Sequence, residues 1–221
     1  MTNPGNDRGR SPRRADTPSR ARASSYHSEE DAEELRGYAS IANATIDDSV
    51  KPAIEWIHGK AVQKLMPTDF HAFIQLAFAR FLDAWARIVT HGRGRIGCEW
   101  RFVIPPNSYN TQSVVPDVAY LSTYFDLPKA NRAYPNVPPD IVVEVLSPGD
   151  GPQDVADKRE FYLWWGVKLV ILADPETRTV EAHESAESVS YLAEHDVLTS
   201  HAFPSLVIPL SEIFAELDEP G

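Results

Sequence analysis

The chain has 221 residues, which suits one folded domain with some length to spare. With 43% hydrophobic and 24% charged residues it can bury a core, so its composition excludes a wholly disordered chain. The single cysteine, Cys98, excludes an internal disulfide and a Cys-rich zinc site, and the net charge of −11 argues against a uniformly basic surface.

The first 50 residues differ in composition from the rest. Residues 1–27 carry six arginines against two aspartates, a net charge of +4, which leaves −15 for the remainder, and an acidic stretch follows at 29–34. We expect residues 1–50 to be a disordered, low-complexity extension and residues 51–221 to form a single domain. The arginines indicate either a solubilising leader or a basic arm that meets phosphates. Since the leader lacks the apolar core of a signal peptide and no apolar run approaches 18 residues, we expect a cytoplasmic protein without a membrane partner.

Hydrophobic periodicity predicts the elements that follow. Two short apolar runs around a His58-Gly59 turn predict a β-hairpin, and apolar residues at three and four residue spacing predict a long helix from Thr68 to Val89. Further strands are predicted at 95–104, 114–121, 141–146, 167–173, 180–183, 189–192 and 197–200, and further helices at 153–165 and 211–217. This order predicts a mixed α/β fold: a central mixed β-sheet flanked by helices, with an N-terminal hairpin and a small C-terminal β extension.

Motifs of several enzyme classes are absent or misplaced. Gly92, Gly94 and Gly97 match G-x-G-x-x-G but follow a helix and precede a strand, the reverse of a dinucleotide site. The sequence has no G-x-S-x-G elbow and no H-E-x-x-H zinc motif. The candidates for chemistry are therefore carboxylates and a lysine.

Two carboxylates stand in strands that are otherwise apolar. Glu144 interrupts the run Ile141–Leu146, and a charge buried in a strand is unfavourable unless it forms a salt bridge or binds a cation. Asp117 follows Pro116, where it either begins a strand in a simple turn or acts as a ligand. If both side chains face one cleft, their hard oxygens favour Mg²⁺ or Mn²⁺ over zinc.

A lysine stands on the apolar face of the next helix. Val155, Lys158, Tyr162 and Trp165 fall at three and four residue spacing. Lys158 either extends along that face to solvent and pairs with an aspartate at the helix start, or lies beside the metal to orient an attacking hydroxide and offset charge on a phosphoryl group.

Together these residues resemble the Uma-type restriction endonuclease family of the PD-(D/E)XK nuclease superfamily. The resemblance spans about residues 54–214. It rests on EWIHGK at 55–60, a histidine at 71 and PDV at 116–118. Its strongest parts are PDIVVEVLSP at 139–148, DKREFY at 157–162 and the pair Gly166-Val167.

The resemblance implies a restriction-endonuclease-like core in which Asp117 and Glu144 hold the metal. The parent motif has a lysine two residues after the second acid, where Leu146 stands here. The resemblance therefore assigns that role to Lys158, with Tyr162 one turn later as an accessory residue.

Two further residues match the family. Glu55 either approaches the same cleft or stabilises the hairpin turn. His71 either joins the site or is satisfied by a backbone carbonyl at the start of the helix.

The function implied by the resemblance is a metal-dependent endonuclease that hydrolyses DNA phosphodiester bonds. Mg²⁺ is the expected cofactor, Mn²⁺ is expected to substitute, and a homodimer is expected by analogy with enzymes that cut palindromes. The alternative is a catalytically silent nuclease-fold module for binding or assembly, which the charge of −15 outside the tail favours. A small-molecule hydrolase is favoured if the cleft is too narrow for a duplex.

Overall fold

The computed structural model describes residues 52–58, 60–107 and 110–218. The extension predicted at residues 1–50 lies outside the described residues. The helices are α1 (Asp69–Val89), α2 (Pro152–Trp165) and α3 (Leu210–Phe214). The strands up to the crossover helix α2 are β1 (Ile54–Ile57), β2 (Lys60–Gln63), β3 (Arg95–Cys98), β4 (Phe102–Asn107), β5 (Asn110–Val114), β6 (Val118–Leu121) and β7 (Ile141–Val145). Those after α2 are β8 (Leu169–Asp174), β9 (Thr179–His183), β10 (Val189–Ala193), β11 (Val197–Thr199) and β12 (Val207–Pro209).

A six-stranded mixed sheet forms the centre of the fold, in the order β10-β9-β8-β7-β6-β3. Strands β7 and β8 are parallel, whereas the other neighbours pair antiparallel. Parallel neighbours need a crossover, and α2 supplies it. The predicted mixed α/β fold with a central mixed sheet is therefore confirmed.

The predicted N-terminal hairpin belongs to a second sheet, of order β2-β1-β5-β4. Strands β1 and β2 pair antiparallel around His58, whose φ of +50° suits a tight turn. A third, two-stranded sheet pairs β11 with β12 in the predicted C-terminal β extension, although β12 itself was not predicted.

Two predicted strands are each interrupted. Residues 95–104 form β3 and β4 in different sheets, because the chain turns at Glu99, where φ is +49°. The apolar alternation from Cys98 to Ile104 therefore does not mark one face. Residues 114–121 are split at Pro116, which lacks the N–H that a ladder needs, so that Asp117 lies in the link between β5 and β6.

The six-stranded sheet is covered on both faces. Helix α1 buries Ile74, Phe78 and Leu82 on the face that carries Ile141 and Val143 of β7. Helix α2 buries Phe161 and Tyr162 on the opposite face, which carries Val142 and Val170. By the alternation of side chains along β7, Glu144 shares the face of Val142 and points towards α2. None of the helices in the described ranges has the length and apolar character of a membrane span.

Candidate active site

Asp117 and Glu144 meet across the pairing of β6 with β7. The register pairs Val118 with Val143, and its extension by one residue places Asp117 opposite Glu144. Asp117 is 1% exposed, and its Oδ2 accepts a hydrogen bond of 2.7 Å from the backbone N–H of Val145. Both carboxylates line a cleft of about 330 Å³. The structure thus brings the two predicted acids together where β6 begins and β7 ends, within the central sheet.

Glu144 is held by two residues of α2. The hydroxyl of Tyr162 donates to Oε1 at 2.6 Å, and Nζ of Lys158 lies 2.8 Å from Oε2. Lys158 also lies 2.8 Å from Oε2 of Glu55, whose Oε1 accepts a 2.6 Å bond from the N–H of Val115. Glu55 therefore joins the cleft instead of serving the hairpin turn, and Lys158 bridges two buried carboxylates.

Burial and neighbouring charges together set the pKa values in this half of the cleft. Burial raises the pKa of Glu144 to about 7, against the opposing effect of Lys158 and with a further rise from Asp117. Burial lowers the pKa of Lys158, but Glu144 and Glu55 outweigh it, so this pKa lies above its ordinary value and the ammonium stays charged. Burial and the charge of Glu144 together raise the pKa of Tyr162, which keeps the phenol a hydrogen-bond donor.

A second lysine, Lys64, contacts the other side of Asp117. Its Nζ lies 2.5 Å from Oδ1 of Asp117, 2.9 Å from the carbonyl oxygen of Val115 and 3.1 Å from Oε1 of Glu99. Burial lowers the pKa of Lys64, but the neighbouring carboxylates, Asp117 first, raise it well above its ordinary value. The ammonium groups of Lys64 and Lys158 therefore contact four carboxylates between them.

His71 lies where α1 begins. Its backbone N–H donates to Oγ1 of the N-cap Thr68 at 3.2 Å, which fixes the first turn against the sheet. Its Nε2 lies 3.4 Å from Oδ1 of Asp117 and its Nδ1 lies 3.4 Å from Oγ of Ser147. The ring of His71 therefore contacts two side chains, whereas the sequence also allowed a backbone carbonyl as its partner.

The contact between His71 and Asp117 shifts their pKa values in opposite directions, up for His71 and down for Asp117. Burial raises the pKa of Asp117, but the hydrogen bond with His71 and the charge of Lys64 outweigh it and hold the value well below the ordinary range. Burial lowers the pKa of His71, but the hydrogen bond with Asp117 outweighs it and raises the value. The carboxylate of Asp117 is accordingly ionised at neutral pH.

The oxygen donors of this cleft fit a divalent metal. Among the described residues, ligand atoms of His71, Glu99 and Asp117 lie within 4.8 Å of one another, slightly wider than the spacing of two ligands on one ion. Glu144, the other predicted ligand, faces the same cleft with its oxygens on Lys158 and Tyr162. The pairing of Asp117 with Glu144 as the ligands stays a prediction.

Sequence reasoning missed Lys64 and Glu99. A signal for Lys64 was present, because Val62 pairs with Glu55 in the hairpin and a residue two places later shares its face. Glu99 lies between two strands of different sheets, so local periodicity contains no sign of its position.

Comparison with solved structures supports the fold. A crystal structure described as a putative nuclease belonging to DUF820 from Anabaena variabilis superposes with a TM-score of 0.65 and 23% sequence identity. The match covers 76% of this chain and 93% of that chain. At this identity the likeness shows a shared fold.

Comparison with known sequences identifies the family. No curated protein matches the chain. Residues 42–211, well over half of the chain, match the family described as "Uma2: Putative restriction endonuclease". This agrees with the family that the motifs around Asp117, Glu144 and Lys158 resemble. The chain belongs to the Uma2 family of putative restriction endonucleases.

Proposed function

We propose that the protein is an endonuclease that hydrolyses DNA phosphodiester bonds with the help of a divalent metal. Family membership and the nuclease fold support a nuclease. The observation that carries the proposal is the buried cluster of Glu55, Asp117, Glu144 and the two lysines in a cleft. Burying charges is unfavourable even when they are paired, and a scaffold has no physical need for such a group.

Asp117 and Glu144 are the proposed ligands of the metal. Their carboxylate oxygens suit Mg²⁺, and Mn²⁺ accepts the same donors. A divalent ion bound there supplies positive charge to the scissile phosphate and lowers the pKa of a nearby water. The hydrogen bond from the N–H of Val145 fixes the orientation of the Asp117 carboxylate, so this metal ligand is already oriented before a metal binds.

Lys158 is the proposed catalytic cation. Its Nζ lies at the wall of the cleft between Glu55 and Glu144, where it can donate to the attacking hydroxide and offset charge that develops on the phosphoryl group. Glu55 and Tyr162 serve as positioning residues, because one holds the ammonium and the other holds Glu144. His71 supports Asp117 from the opposite side.

A catalytically silent module for binding or assembly is the second candidate. The net charge of −15 outside residues 1–27 favours it, since a duplex binds to basic surfaces. Lys64 and Lys158 are also engaged by carboxylates, which reduces their attraction for phosphate. An assay of cleavage separates the two candidates.

The decisive experiment incubates supercoiled plasmid with the purified full chain in Mg²⁺, Mn²⁺ or EDTA. Glu144→Ala is run in parallel, with Glu160→Ala as the matched control, because Glu160 is an exposed glutamate on α2. The proposal expects nicking or linearisation that needs metal, disappears in Glu144→Ala and persists in Glu160→Ala. Folded wild-type protein that cleaves with neither metal would favour the silent module.

The proposed assembly is a homodimer, in which two clefts would address the two strands of a duplex. Light scattering on the purified chain, alone and with a short duplex, measures this directly. A mass near 24.6 kDa in both samples would contradict it.

A further inference from the structure

The ammonium of Lys64 sits in a cage of oxygens. Four of them lie within 3.3 Å: Oδ1 of Asp117, the carbonyl of Val115 and both carboxylate oxygens of Glu99. The Lys64 side chain is only 12% exposed, although its residue follows the last position of β2. Proteins bind hard metal cations with similar sets of carboxylate and carbonyl oxygens.

The imidazole of His71 lies close to the same group of oxygens. Nε2 of His71 lies 3.4 Å from Oδ1 of Asp117, and ligand atoms of His71, Asp117 and Glu99 lie within 4.8 Å of one another. At metal–ligand distances of about 2.2 Å, two ligands of one ion are at most about 4.4 Å apart. The group therefore needs to close by a few tenths of an ångström, and Glu99, whose side chain is 48% exposed, has room to move.

This cage is distinct from the side of the cleft that holds Glu144. The oxygens of Glu144 are taken by Tyr162 and Lys158, whereas Oδ1 of Asp117 faces Lys64 and His71. Each half of the cleft thus contains its own lysine, and Asp117 lies between the halves.

We propose that His71, Glu99 and Asp117 form a divalent-cation site of their own, and that Lys64 occupies it as an internal counter-ion until a metal displaces the ammonium. The proposal rests on the proposed function and deepens it by adding two ligands, His71 and Glu99, that the Asp117–Glu144 pair does not include. Binding of a metal at this site requires no turnover, so it can be measured when cleavage is absent.

The ligand set selects among metals. Mg²⁺ prefers oxygen donors and dehydrates reluctantly, whereas divalent first-row transition metals, Mn²⁺ among them, also bind sites that mix nitrogen and oxygen donors. A site with one imidazole and two carboxylates therefore binds Mn²⁺ more tightly than Mg²⁺, and the difference depends on His71.

The Lys64 side chain is flexible enough to move its ammonium away from Asp117 and Glu99. Its ammonium is carried on a flexible four-carbon chain at the end of a strand, next to the exposed Leu65. While no metal is bound, it neutralises Asp117 and Glu99, which would otherwise repel one another. A metal provides that charge more strongly, so the displaced ammonium is free to turn into the cleft.

The test is a titration of the full chain with Mn²⁺, followed by electron paramagnetic resonance of the free ion, and with Mg²⁺ by calorimetry. Glu99→Gln and His71→Gln are each expected to weaken Mn²⁺ binding about tenfold or more, since even partners of metal ligands contribute 10–100-fold. His71→Gln, which replaces nitrogen with an amide oxygen, should leave Mg²⁺ affinity much less changed. Lys64→Met should tighten Mn²⁺ binding by removing the competitor, and Glu160→Gln is the exposed control.

The outcomes separate this site from the predicted Mg²⁺ pair. If Glu144→Gln abolishes Mn²⁺ binding while Glu99→Gln and His71→Gln bind as the wild type does, the inference is overturned and the proposed function stands. If wild type and Lys64→Met bind Mn²⁺ equally well, Lys64 is not the occupant. Glu99→Gln keeps the experiment decisive should Lys64→Met fail to fold, because Glu99 is exposed.

Discussion

Nζ of Lys158 lies 2.8 Å from Oε2 of Glu144, which joins a helix residue to a strand residue 14 positions earlier. In the nuclease motif that the sequence resembles, the lysine follows the acid by two residues, a place that alternation puts on the same face of the strand. Leu146 has that place here. Because α2 packs on this face, a lysine from its second turn reaches the carboxylate of Glu144. The structure thus places an ammonium group beside Glu144 although no lysine stands two residues after it.

Replacement of Lys158 with Ala tests the role of this ammonium. We expect plasmid cleavage to fall by about a hundredfold or more, as for the loss of a preorganised catalytic donor, while metal binding stays nearly intact. Lys158→Met, which keeps the aliphatic stem, guards against loss of packing, and Lys129→Ala is the exposed control. Cleavage rates and calorimetric metal titration are the measurements, and a loss of metal affinity in both Lys158 variants would contradict the assignment.

The two Pro-Asp pairs of the sequence are predicted to differ in role. Asp140 accepts from Nζ of Lys168 at 2.6 Å and from the N–H of Ser122 at 2.7 Å, so it anchors a loop to β8. Asp140→Asn should lower the free energy of unfolding in urea by roughly 1–3 kcal/mol and leave cleavage per folded molecule unchanged. Asp117→Asn should abolish metal binding. Retention of metal affinity by Asp117→Asn, with its loss in Asp140→Asn, would reverse these roles.

Glu144 and Lys158 could be predicted because each breaks a strong local pattern. A charge within an apolar strand and a cation on an apolar helix face are both visible in periodicity alone, and the structure buries Glu144 and leaves the Lys158 side chain only 16% exposed. Asp117 was found by the same alternation, although it lies in a link between two strands. Continuing the side-chain alternation of β6 back by one residue, from Val118 to Asp117, gave the correct face for Asp117.

The remaining features depend on pairing between distant segments. Which sheet a strand joins is set by partners far away in the chain, so the division of residues 95–104 between two sheets left no trace in the local pattern. Glu99 reaches Lys64 because of that division. Lys64 approaches Asp117 only because β1 pairs with β5, a contact across more than 50 residues.

The C-terminal extension contains a carboxylate that makes stability depend on pH. Oε1 of Glu184 accepts from Oγ of Ser200 at 2.5 Å and from the N–H of Ala202 at 2.9 Å, and Oε2 lies 2.9 Å from Nδ1 of His201. Burial raises the pKa of Glu184, but these hydrogen bonds outweigh it and bring the value to about 2, from an ordinary 4.5. A depressed pKa stabilises the fold above pH 4.5, and this contribution is lost as the pH falls from 4.5 through 2.

Comparison of the wild type with Glu184→Gln measures this contribution. The difference in free energy of unfolding should be largest near neutral pH, at roughly 1–3 kcal/mol, and should shrink as the pH falls below about 4.5. Glu187→Gln, an exposed acid of the same loop, is the control and should show no such trend. A difference that is constant from neutral pH to the acid limit would show that the charge of Glu184 contributes nothing.

Deletion of residues 1–40 is expected to leave the folded domain intact. The family match begins at residue 42, and the deleted segment carries seven arginines against seven acidic residues, so the remaining chain keeps a net charge of −11. Because this composition offers little apolar surface to bury, Tm should change by less than about 2 °C, which corresponds to under about 1 kcal/mol for a domain of this size. Deletion of residues 210–221 is the opposite control, since it removes the fully buried side chains of Leu210, Ile213 and Phe214 and should unfold the protein. A fall in Tm of the 1–40 deletion comparable to that control would show that the N-terminal extension packs against the domain.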